Sequence, residues 1–379
     1  MDTFYLPTQI RTGRGAYESL GEILASCGRR GLLVCGQHAV RSGLVDRARS
    51  LAAEHDIELE LYVRAGREPD LSMVEEACSL VRDGNCDVIV GLGGGSPMDL
   101  AKAVAGLALL EGPPGAYFAG RPVDGPSIPF VAIPTTAGTG AEVTKNAVLI
   151  DREAKIKHSI RDDRWFPRWA IVDPELTLDM PPEVTANSGS DALCQAIEAY
   201  TSIGATPLTD SLAEQAITLI GRSLSRAYAS GEDLRAREDM AYGSLLAGMA
   251  MANARLGAVH GMAHPLGVAF ELPHGMICGL LLPYTMEYNL PATPKYAHVA
   301  ELLGISDIDA SDMKLRHAAV EHVWQLLRDI GIPEHLGPLG VRDDDLDAIV
   351  EASLPSGSLK HNPRPLDGQD VRRILESAL

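Results

Sequence analysis

A chain of 379 residues is long enough for two domains of ordinary size, each with its own core. With 46% hydrophobic residues and only 5% aromatics, those cores must be built from Leu, Ala, Val and Ile. A formal net charge of −18 repels phosphate backbones and sets nucleic acid aside as a partner. The opening stretch MDTFYLPTQIRTGRG has no apolar signal-peptide segment. No run approaches the roughly 20 apolar residues needed to span a bilayer. Six cysteines (Cys27, Cys35, Cys78, Cys86, Cys194, Cys278) are irregularly spaced without a C-x-x-C pair, the pattern of reduced thiols in a cytoplasm.

Along the chain, residues 31–36 read as a buried strand, and a helical pattern covers 45–53. Residues 57–62 alternate like a half-buried strand, a helix covers 71–83, and a strand covers 86–91. Short apolar runs at 130–133 and 170–172 continue the series. Strands alternating with helices predict a mostly parallel sheet covered on both faces. After the double proline Pro181-Pro182 the rhythm becomes helical, as in Leu212, Ala216, Leu219 and Ile220. Residues 277–282 read as the start of a buried helix. The expected division is an α/β domain over 1–180 and an all-helical domain over 181–379.

Two segments follow predicted strands with glycine and small hydroxylic residues. The first is Gly91-Leu-Gly93-Gly94-Gly95-Ser96-Pro97-Met-Asp99, leading into a helix. Such a turn lets backbone N–H groups approach a phosphate, and the helix N-terminus adds partial positive charge. Pro97 suits the first helical turn. Ser96 stands where a dinucleotide fingerprint has its third glycine, so a ligand-free tight turn is the alternative. The second segment is Pro134-Thr135-Thr136-Ala-Gly138-Thr139-Gly140-Ala-Glu142-Val-Thr144. Two such loops at the carboxyl ends of parallel strands fit a dinucleotide lying in the sheet crevice.

In the helical half, Gly257-Ala-Val-His260-Gly-Met-Ala-His264-Pro-Leu-Gly is followed by Pro273-His274-Gly275. His260 and His264 are four apart and share a helix face, and His274 lies ten residues on. Upstream, Asp191 and Gln195 form another such pair. Asp191, His260 and His274 are good donors for a divalent transition metal, with Gln195 a weaker fourth. A buried helix pair satisfied by these histidines is the alternative.

Taken together, these stretches resemble the iron-dependent (group III, metal-containing) alcohol dehydrogenase family over essentially the whole chain. The matching pieces are G-G-G-S-x-x-D, P-T-T-A-G-T-G-x-E-V-T, D-P-E-L-T, D-A-L-x-x-A-I-E-A-Y, H-x-x-x-H-P-L-G with P-H-G, and Asn362-Pro-Arg-Pro365. The resemblance implies an N-terminal Rossmann-like dinucleotide-binding domain with a parallel sheet and an all-α metal-binding domain, in a dehydroquinate synthase-like fold. It places the metal ligands at Asp191, Gln195, His260 and His274, where the second is histidine in the family pattern. The metal implied is Fe2+, with Zn2+ as an alternative. Nicotinamide dinucleotide contacts fall on Gly94, Gly95, Ser96, Asp99, Thr135, Thr136, Thr139 and Thr144, with Lys157 near the nicotinamide. Gly36 and Gln37 occupy the place of an acidic ribose partner, so nothing there repels a 2′-phosphate and either NADP(H) or NAD(H) is accommodated. Arg41 stands slightly further on.

The implied chemistry is hydride transfer to or from a small aldehyde or alcohol in a homodimer or larger homo-oligomer. His264 is the residue to orient substrate or relay a proton, alongside His274; supporting the metal site is its other role. Lys145, Asn146, Met251, Arg255 and Leu256 are expected near the substrate, with Ser358 and Lys360 in a loop that reaches it. The three cations Lys145, Arg255 and Lys360 fit a carboxylate or phosphonate aldehyde. Because of Gln195, a metal-free or non-catalytic dinucleotide-binding relative stays open, as does a sister activity such as hydroxyacid–oxoacid transhydrogenation.

Overall fold

The computed structural model describes residues 3–63, 68–154, 156–306 and 311–379, which fall into two compact units. The first holds Leu6–Thr136 and Ala141–Thr177; the second holds Leu178–Leu379 with Ala137–Gly140 and residues 3–5.

Among the described residues the first unit has eight strands: β1 (Gln9–Thr12), β2 (Arg30–Cys35), β3 (Glu58–Val63), β4 (Val88–Gly93), β5 (Phe130–Pro134), β6 (Asn146–Asp151), β7 (Ile156–Arg161) and β8 (Trp169–Val172). Six form one sheet in the order β1-β8-β5-β4-β2-β3, with every pair parallel. The inner strands β4 and β5 are buried along their whole length, which is why they read as unbroken apolar runs. Helices α1 (Leu20–Ala25), α2 (Gln37–Arg41), α3 (Leu44–Ala53), α4 (Leu71–Gly84), α5 (Gly95–Leu107) and α6 (Pro114–Phe118) accompany it. Two apolar clusters, one holding Leu32, Ile89 and Ala101 and the other Leu33, Val90 and Leu51, use alternate residues of the same strands. That is the period-two signature of a sheet covered on both faces.

Three readings of the sequence need correction. The fourth strand runs two residues further than expected and ends at Gly93, not Gly91. Gly91 is held inside it because a Cβ there would meet Ala101 and the Phe130 ring at 3.0 Å. An antiparallel hairpin of β6 and β7 was not anticipated; β7 is charged and half-exposed, and β6 offers only a four-residue apolar run between Asn146 and Asp151. Strand β1 was also missed, being four residues long and nowhere fully buried.

The second unit is helical: α7 (Pro182–Thr201), α8 (Pro207–Ala229), α9 (Leu234–Ala254), α10 (Ala258–Phe270), α11 (His274–Asn289), α12 (Lys295–Leu302), α13 (Asp312–Asp329), α14 (Leu346–Ser353) and α15 (Gly368–Ser377). From Gly189 to Thr201 every residue of α7 is buried, so it lies within the unit's core. The segment 277–282 is the middle of α11, not its start, because the helix begins at His274 directly after Pro273 and continues through Pro283. No helix among the described residues is long and apolar enough to cross a membrane.

Beside α5 the first unit buries a charged network. Lys102 is fully buried and its Nζ donates to Ala141 O at 2.8 Å, Thr144 Oγ1 at 3.1 Å and Asn146 O at 3.0 Å. Glu142 is also buried, and burial raises its carboxyl to about 7, with its own backbone amide and Lys102 pulling the other way. The folded value lies above the unfolded one near 4.5, so the fold favours the neutral carboxyl. Its stabilisation is complete at acid pH and is lost as pH rises through about 7. Glu142→Gln escapes that loss, so its stability relative to the unaltered protein should grow between pH 5 and pH 8, by up to about 3 kcal/mol. Urea unfolding of both proteins across that range measures the gap; a gap that does not change with pH would show that Glu142 ionises freely.

Candidate metal centre and cofactor turn

Asp191 lies on α7, His260 on α10, and His274 and Cys278 one turn apart on α11. What brings α11 against α7 is a pair of glycines placed just after the two donors. A Cβ on Gly275 would sit 2.1 Å from the Asn187 carbonyl oxygen and 3.2 Å from Asp191 Cβ. A Cβ on Gly279 would meet Ser190 Cβ at 2.9 Å. Each glycine therefore allows a backbone approach that any other residue would block, and the approach delivers its neighbour to Asp191.

The second support is Glu198, two turns after Asp191 on α7. Its Oε1 accepts the Val259 N–H at 2.7 Å, capping α10, and its Oε2 accepts from His260 Nδ1 at 2.6 Å. A carboxylate at a helix N-terminus gains from the dipole as well as from the hydrogen bond. Gly257 makes room for it, since a Cβ there would lie 2.8 Å from Glu198 Oε1. Asn362, from the N-P-R-P motif, accepts the Ala258 N–H at 3.3 Å and exchanges hydrogen bonds with Asn289 at 2.7 and 3.0 Å. The end of the sequence and the end of α11 thereby fix the start of α10.

With Nδ1 donating to Glu198, Nε2 of His260 presents a lone pair. It faces Asp191 Oδ1 at 3.3 Å and Cys278 Sγ at 3.9 Å. His274 Nε2 lies 3.5 Å from Cys278 Sγ and 3.9 Å from Asp191 Oδ1. The donor atoms of Asp191, His260, His274 and Cys278 all lie within 4.8 Å of one another. Acceptors gathered in so apolar a setting need a cation among them, a proton or a metal ion. The titration of the group reflects this. Burial alone would lower the imidazoles, but the Cys278 sulfur and the Asp191 carboxylate overcome it and raise both His260 and His274. Burial alone would raise Cys278, but the Cys194 thiol and the two histidines hold it well below an ordinary thiol.

Gln195 is buried, and its Oε1 has no hydrogen-bond partner among the described residues; the same is true of His274 Nδ1. The clustered donors Asp191, His260, His274 and Cys278 fit a bound divalent ion. His264 does not stand among the close donors; its ring stacks on His274 with centroids 4.9 Å apart and planes 14° from parallel. Glu198 and Cys278 were missed from the sequence. The usable signals were spacing alone: Glu198 is two turns from Asp191, and Cys278 is one turn from His274.

In the first unit, β2 leads out to β3 on one side and neighbours β4 on the other, so the β2–β4 gap is the topological switch point. Gly36 and Gln37 follow β2, Gly94–Ser96 follow β4, and Thr135 and Thr136 follow β5. Gly93 adopts φ +150°, where a Cβ would strike Pro97 Cγ at 2.9 Å, and Gly94 leaves 3.2 Å to Thr136 Cγ2. The first-turn N–H groups of α5 have no partner within the helix, which is the arrangement that receives a pyrophosphate. Gln37 and Arg41 are exposed, with no carboxylate at Gly36 or Gln37.

Other expected contacts are already engaged. Asp99 accepts the Val148 N–H at 3.1 Å, Thr144 is bound by Lys102, and Asn146 contributes its carbonyl to the same lysine. Lys157 Nζ lies 2.6 Å from Glu68 Oε1. Lys145 forms an ion pair with Asp163, so its charge is locally neutralised. In the second unit, Met251 lies beside Gly140 of the loop that carries Thr139. Arg255 closes α9 with φ +72°, uncommon for a residue with a Cβ; Leu256 follows it half-buried, Ser358 is half-buried and Lys360 is exposed.

Gly275→Ala should force α11 away from the Asn187 carbonyl. The expected outcome is a loss of about 1–3 kcal/mol of stability together with weaker retention of Co2+ on dialysis. Denaturant unfolding and metal analysis report the two effects, and unchanged values for both would show that the Gly275 contact does not set the donor cluster.

Two family models match the chain: one described as iron-containing alcohol dehydrogenase over residues 7–174, the other as Fe-containing alcohol dehydrogenase family, C-terminal, over 185–379. A 1,3-propanediol dehydrogenase of Klebsiella pneumoniae is 41% identical over 354 residues, 93% of this chain and 92% of that protein. The crystal structure of a 1,3-propanediol oxidoreductase aligns with TM-score 0.96 at 40% identity over 100% of both chains. A sulfoacetaldehyde reductase from Bifidobacterium kashiwanohense in complex with NAD+ aligns with TM-score 0.91 at 31% identity, over 100% of this chain and 98% of that one.

Proposed function

Because the chain belongs to the iron-containing alcohol dehydrogenase family, we propose that it interconverts a small aldehyde and its alcohol by hydride transfer with NAD(H) or NADP(H), using a divalent metal held by Asp191, His260 and His274. The observation that carries this reading is the His260 lone pair, which Glu198 turns toward the Asp191 carboxylate and which only a cation can reconcile with it. A metal bound there polarises a carbonyl and stabilises the charge that develops on its oxygen.

The chain's own residues do the rest. Glu198 holds the His260 tautomer and ring direction, a role worth about 10–100-fold in affinity or activity where such partners are removed. The backbone of Gly94, Gly95 and Ser96 binds the pyrophosphate at the start of α5, with Thr135, Thr136 and Thr139 lining the cofactor and Lys157 and Asp99 positioning it. Gly36 and Gln37 leave the ribose 2′ position free of negative charge, so both cofactor forms are used. His264, stacked on His274, is placed to pass a proton to or from the substrate oxygen.

The substrate in this reading carries an anionic tail. The exposed cations Arg255 and Lys360 support it, as does the sulfonated aldehyde in the name of one relative. Lys145 contributes less than expected because Asp163 already matches its charge.

The test is to strip metal by chelation, reload with Fe2+ or Zn2+, and follow NADH and NADPH oxidation with propanal, succinic semialdehyde and phosphonoacetaldehyde. Metal removal should cost about 10³-fold or more in kcat, restored on reloading. An anionic aldehyde should exceed propanal by about 10–100-fold in kcat/KM, the worth of one or two charge-assisted hydrogen bonds. Turnover unaffected by chelation would sink the metal reading, and equal efficiency on propanal would sink the anionic substrate.

A further inference from the structure

We propose that Cys278, rather than Gln195, supplies the fourth donor of this metal centre, giving an Asp191–His260–His274–Cys278 set; the inference rests on the reading that a divalent ion is held there at all. Four side chains from three helices put one ligand atom each within 4.8 Å of one another. For a tetrahedral zinc site with bonds of about 2.0–2.1 Å to nitrogen and oxygen and about 2.3 Å to sulfur, donor atoms lie about 3.4 Å apart for N/O pairs and about 3.6 Å for sulfur pairs. The separations here are 3.3 and 3.9 Å from Asp191 Oδ1 to the two Nε2 atoms, and 3.5 and 3.9 Å from Cys278 Sγ to the same atoms. Four of the six edges of a coordination tetrahedron are thus close to their expected lengths, and the other two lie within 4.8 Å.

Two sulfurs lie close to His260, and the ring itself distinguishes them. Cys194 Sγ stands 3.8 Å from Nδ1, the nitrogen already engaged by Glu198. Cys278 Sγ stands on the Nε2 side, with Asp191 and His274. Only the second is on the face that can bind an ion. On binding, the ion takes the place of whatever protons the cluster holds on Cys278 Sγ and the two Nε2 atoms, those protons leave to solvent, and no electrons are transferred. Two anionic donors then neutralise a divalent ion in a buried setting, and a thiolate shifts preference from Fe2+ toward Zn2+ or Co2+. A chain whose family pattern has histidine at position 195 thereby recovers a strong fourth donor from α11.

The test uses the full chain, stripped by chelation and loaded with Co2+ or Zn2+ at one equivalent. Bound Co2+ should show a near-ultraviolet sulfur-to-cobalt charge-transfer band, and X-ray absorption of the zinc form should show one sulfur neighbour at about 2.3 Å. The band should vanish in Cys278→Ser and persist in both Cys194→Ser and Gln195→Ala, with one metal per chain retained in the latter two. Where Cys278→Ser fails to fold, a sulfur neighbour that persists in the zinc spectrum of Cys194→Ser assigns it to Cys278. One metal per chain with nitrogen and oxygen neighbours alone overturns the Cys278 assignment and leaves the metal reading standing. Failure to hold either ion overturns both. A band lost in Cys194→Ser but kept in Cys278→Ser overturns the choice of sulfur.

Discussion

Glu198 accepts a hydrogen bond from the Nδ1–H of His260 in a place where almost no solvent reaches either group, and much of the helical unit's chemistry descends from that contact. A neutral imidazole can offer only one lone pair, and the contact decides which nitrogen offers it. Because Oε1 of the same carboxylate caps α10, the ring's tautomer and its helix's position are fixed by one residue. A water-exposed carboxylate would do neither so firmly, since solvent would compete for both bonds.

The approach of α11 to α7 provides the complementary constraint. Gly275 and Gly279 are four apart, as are His274 and Cys278, so one helical repeat serves packing and chemistry in adjacent registers. Small residues determine how near the backbones come, and the larger neighbours inherit that nearness as donor geometry. Site and core are here the same packing problem, which is why a single added methyl group bears on both.

The sequence made some of this visible and hid the rest for identifiable reasons. Strands such as β4 and β5 were legible because burial on both faces leaves only apolar residues. The β6–β7 hairpin was not, because β6 carries only four apolar residues in a row and β7 mixes charged, polar and apolar residues. Asp191, His260 and His274 stood out by residue type and spacing. Cys278 sits amid apolar residues, where a thiol reads as one more small hydrophobe, and only the meeting of three helices gives it partners. Glu198 was within a recognised motif, yet its task depends on where α10 begins, some 60 residues later. Lys145 shows the opposite failure. Its charge was read as available until folding placed Asp163 beside it.

Asn362 bonds to Ala258 across 104 residues and to Asn289 across 73. During synthesis, therefore, α10 and α11 leave the ribosome well before the amide that clasps them together exists. The corner of the helical unit that carries the donor cluster therefore cannot be clasped until that amide is made, and a nascent chain halted before it would carry the histidines without the contact that joins their helices.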